Sequence, residues 1–252
     1  MDLLEWSPKG NKRHPWETSR FHFFKKNIMN ANLNDHALKI LDIGAGDGWF
    51  SREMLNILHP DSAIVCWDNN YNAETINKLS SISNKRIKYT SFRPQAKFDL
   101  LMLMDVLEHI KDDEDFLSEA IKENMGSNSL MLISIPTWPI LYSKHDFHLR
   151  HIRRYNPKKF KSLLELSGLK VLTGGGFFHS LLLPRLFSKI LSRFFYRQRE
   201  VKDIGDWQCG HVLTRLIETA LAIDNNMSIW LTKHEFDLPG LSWWALCKKR
   251  SS

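Results

Sequence analysis

The chain has 252 residues, 43% of them hydrophobic and 25% charged, with nine Trp and fifteen Phe. That is enough apolar material for one sizeable core and too much for a disordered segment, while twelve Gly and nine Pro exclude collagen-like repetition. The net charge of +7 is concentrated: residues 144–202 carry fourteen Lys/Arg against three acids, a local +11 that leaves −4 for the rest, so one face is expected to meet an anionic partner. Cys66, Cys209 and Cys247 are odd in number and far apart, which gives no disulfide framework or metal knuckle and favours a reducing cytoplasm. The start, MDLLEWSPKGNKRHPWE, lacks the apolar run of a secretory signal, and no stretch reaches the roughly 18 uncharged apolar residues of a spanning helix.

In chain order, Pro15–Met29 reads as a helix opened by its proline. Leu38–Ile43 is a first strand, followed by a glycine turn and a helical pattern through Leu58. Ala63–Trp67 is a second strand, with helical spacing at Tyr71–Leu79, and Ile87–Phe92 is a weaker third. Phe98–Met104 (FDLLMLM) and Ser129–Ile135 (SLMLISI) are continuous apolar runs, as strands buried on both faces should be, with a helix around Phe116–Ile121 between them. Pro157 opens a helix that ends at Ser167-Gly168, before a sixth strand at Leu169–Leu172; the seventh is Leu241–Cys247. Strands alternating with helices predict an α/β fold with a mostly parallel seven-stranded sheet and helices on both faces. Residues 177–240 break the rhythm and are too long for a loop, so they read as a mainly helical cap inserted before the last strand.

The turn after the first strand is Gly44-Ala45-Gly46-Asp47-Gly48. Glycines let backbone approach a ligand closely, and the next helix offers its free N–H groups. A nicotinamide or flavin site would read G-x-G-x-x-G, whereas here Gly48 comes one residue early. Asp42 precedes the turn, and Asp68 ends the second strand, where a carboxylate can accept two ribose hydroxyls. L-D-I-G-A-G-D-G, Asp68, and F-D-L-L-M-L-M-D-V-L-E-H-I at strand four together resemble the class I S-adenosylmethionine-dependent methyltransferases, a Rossmann-like fold, over roughly residues 36–176 and the last strand.

The resemblance implies S-adenosyl-L-methionine as cofactor and S-adenosyl-L-homocysteine as product. It implies that Asp42, Gly44, Ala45, Gly46 and Gly48 cradle the amino-acid portion, that Asp68 with Asn69 holds the ribose, and that Met104, Asp105 and His109 line the methionine side. Ser91-Phe92 stands where the family often has an acid for adenine, so no adenine partner is assigned. It divides the chain into an N-terminal helical lid (1–35), a core (36–176 with 241–252) and the cap (177–240).

After the fifth strand comes Ser143-Lys144-His145-Asp146-Phe147-His148-Leu149-Arg150-His151-Ile152-Arg153-Arg154-Tyr155, similar to a bacterial subgroup of the family acting in cell-envelope or secondary metabolism. In the fold this loop borders the acceptor. A hydroxyl acceptor must lose a proton, and a His with an ordinary pKa near 6.5 can take it. His145 and then His148 are the candidate bases, with His109 a third that serves equally as a structural histidine. Asp146, His151, Arg153, Arg154 and Tyr155 are expected to contact the acceptor, the two arginines holding an anion; a plain solvated charge pair is the competing reading. The spacing of His145, Asp146, His148 and His151 matches no defined zinc pattern, so no metal is expected. Trp16 and Arg20 are placed facing inward toward the acceptor, although a Trp that merely anchors a helix explains the first as well.

In the cap, Arg185, Lys189, Arg193 and Arg197 recur every four residues, opposite Phe187, Leu191 and Phe194. The expected arrangement packs the apolar side on the enzyme and solvates the basic one, with peripheral membrane contact less favoured. The function expected is methylation, at oxygen, of a small molecule or a cell-envelope saccharide or lipid precursor. A nucleic-acid (RNA) methyltransferase is the alternative raised by the basic composition, against which stands D-V-L-E-H where amino-methylating DNA enzymes carry an N-P-P-Y type block. A cofactor-binding protein without turnover is the other.

Overall fold

A computed structural model describes residues 13–194 and 210–250, with side chains up to residue 190 in the first stretch. Residues 1–12 of the expected lid, Cys209, Arg197, and the side chains of Leu191, Arg193 and Phe194 lie outside the described residues.

Seven strands, β1 (Lys39–Ile43), β2 (Ala63–Trp67), β3 (Ile87–Thr90), β4 (Phe98–Met104), β5 (Met125–Pro136), β6 (Leu169–Phe177) and β7 (Ser242–Lys249), form one sheet in the order β3-β2-β1-β4-β5-β7-β6. β1 through β5 pair in parallel; β7 lies antiparallel between β5 and β6. The order reverses between β1 and β4, and the carboxyl ends of those strands are where an open sheet of this kind admits a ligand.

Helices α1 (Pro15–Asn30), α2 (Trp49–Leu55), α3 (Ala73–Ser81), α4 (Asp113–Asn124), α5 (Lys144–His148) and α6 (Pro157–Leu166) accompany the sheet, and α7 (His179–Phe194) and α8 (His211–Lys233) stand between β6 and β7. Most starts have a sequence reason. His14 accepts from the Trp16 N–H at 3.1 Å before Pro15, and Asn72 accepts from Thr75 at 2.8 Å, which starts α3 two residues later than the apolar spacing suggested. α5 was not expected; Ser143 and Asp146 form a reciprocal capping box there.

The apolar runs sit where expected: Leu41, Leu100 to Leu103 and Ile133 are fully buried. β6 runs five residues beyond Leu172, through Gly174-Gly175-Gly176. A Cβ on Gly176 would stand 2.3 Å from the Leu238 carbonyl oxygen and 2.6 Å from the Gly240 nitrogen, so this strand needs glycine to let the chain entering β7 approach.

α1 is clamped to the sheet by rings. Phe23 stacks on Phe177 (4.7 Å, 6°) and meets Trp244 and Phe24 edge-on, and all four are buried. α8 binds α1 through polar atoms, with Asn225 donating to the Ser19 carbonyl and hydroxyl at 2.8 Å each. Phe23→Ala should therefore lower stability by about 3–5 kcal/mol, a fall in Tm of roughly 10 °C by calorimetry for a chain of this size. A fall of only about 2 °C would show that α1 is not anchored by these rings.

Candidate active site

At the end of β1, Gly44, Gly46 and Gly48 all have positive φ (68°, 54° and 67°), the left-handed region where side chains are strained. The turn is tied to the neighbouring strand: the Gly44 N–H donates to the Trp67 carbonyl at 2.7 Å, and a Cβ on Gly48 would meet the Tyr89 ring at 2.7 Å. Below it, Asp42 is buried and accepts from the Ser51 hydroxyl at 2.7 Å; burial, only partly offset by that bond, pushes its pKa up to about 6.

Asp68 closes one side of the turn. It accepts from the Gly46 N–H (3.0 Å) and from the backbone and side-chain nitrogens of Asn70 (2.9 and 3.0 Å). A carboxylate has about four lone-pair sites, so Asp68 keeps capacity for a further donor. Asn69, expected beside it, is exposed; Asn70 makes the contact instead. Phe92, after β3, is 80% exposed.

α1 closes the other side. Arg13 pairs with Asp47 and lies 4.8 Å over the Trp49 ring; Arg20 pairs with Asp105 and lies 4.7 Å over the Trp16 ring. Arg20 is buried, and half-buried Trp16 lies beside Phe178. Arg13 was missed, since an arginine outside a helix start carries no periodic signal. Asp105 is itself unusual, with φ at 57° and its carboxylate accepting from the Ser134 hydroxyl at 2.8 Å. Met104 is half-buried beside it.

Beyond Asp105 the D-V-L-E-H segment makes a 3₁₀ turn at Leu107–His109. Glu108 is fully buried, neither carboxylate oxygen has a hydrogen-bond partner, and burial followed by the nearby Asp105 charge raises its pKa well above the usual range. The Ile152 N–H donates to the Glu108 carbonyl at 2.7 Å, which brings the loop after β5 over this turn.

That loop is organised by Asp146, not by its histidines. The Asp146 carboxylate is buried and is approached by the Ser143 N–H (2.9 Å) and hydroxyl (3.0 Å), His151 Nδ1 (3.1 Å), Arg154 Nε (2.7 Å) and Arg185 (3.4 Å). Burial pushes its pKa up, but the donors from His151, Arg154 and Ser143 outweigh that and hold it well below the ordinary range.

Three expectations change here. Arg154 is buried against Asp146 and the Thr137 carbonyl, half-buried Arg153 pairs with Asp113 (3.0 Å) and the Lys111 carbonyl (2.6 Å), and buried Tyr155 places its hydroxyl 2.5 Å from Asp113, so these groups brace the loop through contacts within the protein. His145 is half-buried, and burial, then the Arg185 charge, lowers its pKa to about 4, which makes it a weak base. His148 is exposed and lines a groove together with His151.

His151 is the histidine the structure brings to the site. With Nδ1 toward Asp146, its Nε2 lies 3.9 Å from Glu108, and its ring meets His109 edge-on at 4.8 Å. It also lines a groove of about 520 Å³ with Tyr142, Phe147, His148, Arg150 and Ile152. Glu108, His109 and His151 each offer a ligand atom within 4.8 Å of the others, the one such group among the described residues.

A glycine turn at the β1–β4 switch, an acid after β2 and a titratable cluster after β4 and β5 define a class I S-adenosylmethionine-dependent methyltransferase, and the three left-handed glycines with the two-sided Asp68 fit that cofactor's amino-acid and ribose portions. Residues 16–173 match the model of a family described as "Methyltransferase domain", and the chain belongs to that family. It is 28% identical over 143 residues to a ubiquinone biosynthesis O-methyltransferase of Pelagibacter ubique (51% of this chain, 58% of that one). It is 26% identical over 193 residues to the Bartonella bacilliformis protein of the same name (66% and 77%). Its fold matches the crystal structure of a SAM-dependent methyltransferase from Archaeoglobus fulgidus with a TM-score of 0.51 at 16% identity, over 91% of this chain and 94% of that one. The chain thus carries a methyltransferase domain of the S-adenosylmethionine-dependent fold class, and it spans 58% of the length of the Pelagibacter relative.

Replacing Asp68 by Ala removes a charge-assisted acceptor and should raise the cofactor Kd about tenfold or more by calorimetry. Unchanged affinity in a folded variant would remove Asp68 from the site.

Proposed function

We propose that the enzyme methylates a hydroxyl of a small aromatic acceptor, with His151 as the general base. The observation that carries this is the Asp146–His151 pair at the edge of the groove. If the Asp146 carboxylate accepts from Nδ1–H, Nε2 is left as the proton acceptor, and the pair fixes both tautomer and ring orientation. Tyr142, Phe147 and Ile152 give the groove apolar and aromatic walls, suited to a flat ring more than to a saccharide, and Arg150 adds a positive charge at its rim. Oxygen as the accepting atom is supported by the O-methyltransferases of ubiquinone biosynthesis that this chain resembles.

The cofactor, when bound, supplies an electrophilic methyl group. The chain's own work is then to hold the acceptor in line and to take one proton at His151 Nε2. Asp146 steadies the resulting imidazolium, and its four other donors keep it ionised while it does so. A second reading has one observation behind it: the unpartnered Glu108 carboxylate beside His109 and His151 is the donor set for a divalent cation that would bind the acceptor oxygen.

With a panel of phenols and catechols, His151→Gln should lower kcat by about 10²–10⁴ while leaving cofactor affinity within about twofold. His145→Gln should change kcat little, and the acid limb of the pH profile should not fall at the pKa of about 4 that belongs to His145. A limb at that pH, abolished in His145→Gln, would return the base role to His145. Loss of activity on dialysis against EDTA, restored by Mg²⁺ or Mn²⁺, would favour the cation reading.

A further inference from the structure

α7 and α8 lie beyond the residues matched by the family model, and each leaves large apolar side chains exposed. In α7 the basic side faces the protein. Arg185 donates to the Ser143 hydroxyl at 2.8 Å and approaches Asp146, and Lys189 donates to the Tyr142 carbonyl. The apolar side faces out, with Leu183, Phe187 and Ile190 exposed by 73%, 63% and 46%. This reverses the packing expected from the sequence.

Ile140, in the 3₁₀ turn that α7 packs against, is 71% exposed, and Phe147 in α5 is 72% exposed. α8 buries Leu221 and Leu231 together with Asp224, Asn225 and Ser228, and leaves Leu216, Ile223 and Trp230 more than half exposed. Apolar surface on this scale marks an interaction site.

We propose that this face docks on an anionic lipid surface. The occupant is set by charge. Exposed Lys144 and Arg150 flank exposed Phe147 in the segment that follows β5. A second copy of the chain docked about a two-fold axis would set that segment against itself. A bilayer with anionic headgroups offers opposite charge outside and an apolar layer beneath, which is what a helix with an outward apolar face and basic flanks requires. No described helix is long and apolar enough to cross a membrane, so the contact is peripheral.

The test is co-sedimentation of the full chain with vesicles of phosphatidylcholine alone and of phosphatidylcholine mixed with phosphatidylglycerol. The protein should pellet with the mixed vesicles, much less with the neutral ones, and less again as salt shortens the Debye length. The combined variant Leu186→Ser, Phe187→Ser, Ile190→Ser changes only exposed positions. It should keep its circular dichroism and cofactor affinity and lose vesicle affinity by about tenfold or more. Failure to pellet with mixed vesicles would overturn the proposal, as would equal pelleting of the variant. So would a concentration-dependent dimer, by analytical ultracentrifugation, that the variant dissolves without any vesicle binding by the parent. None of these outcomes depends on which residue serves as base.

Discussion

The buried carboxylate of Asp146 is the contact on which the acceptor side of the molecule depends. It draws donors from its own helix cap (Ser143), from the end of the loop (His151, Arg154) and from α7 (Arg185). A buried charge left without partners costs several kcal/mol, so each donor is held in place by the cost of leaving. Two consequences follow from one residue. His151 is aimed at the groove edge, and Arg185 turns the basic side of α7 inward, so that its apolar side must face out.

That explains which parts of the molecule could be read from the sequence. β1, β4 and the second half of β5 are buried on both faces in the parallel part of the sheet, so they appear as mostly apolar runs. The glycine turn and Asp68 are local features whose spacing alone carries their chemistry. The amphipathic pattern of α7 was legible too, but a helical stripe reveals two faces without saying which is inward. The answer lay in Asp146, 39 residues earlier in the chain. Which histidine pairs with Asp146 was hidden for the same reason. His145 adjoins Asp146 in sequence, yet the carboxylate turns to His151, while burial and Arg185 depress His145.

α7 also shows why helix starts formed by tertiary contacts escape prediction. Its first N–H groups, those of His179 and Ser180, are satisfied at 3.1 and 2.7 Å by Asp224, which lies in the middle of α8. No capping residue precedes the helix in the sequence; Phe178 stands there with φ at 59°. The cap is borrowed from an element 44 or 45 residues away, and it accounts for Asp224 being buried on the inner side of α8.

The two halves of the site differ in charge, and the difference has a chemical sense. Asp42, Asp47, Asp68, Asp105 and Glu108 gather at the carboxyl edge of the sheet, all but Asp105 buried. Burial first, and the neighbouring carboxylates after it, raise the pKa values of Asp42 and Glu108, while Arg13 and Arg20 pair with Asp47 and Asp105. An acidic edge suits a cofactor whose reacting sulfur is a cation. The lysines and arginines are instead concentrated along the chain in residues 144–202, after β5. That segment carries +11 against −4 elsewhere, so the net charge of +7 comes from it, while the carboxylates at the sheet edge are met by the two guanidinium groups of Arg13 and Arg20.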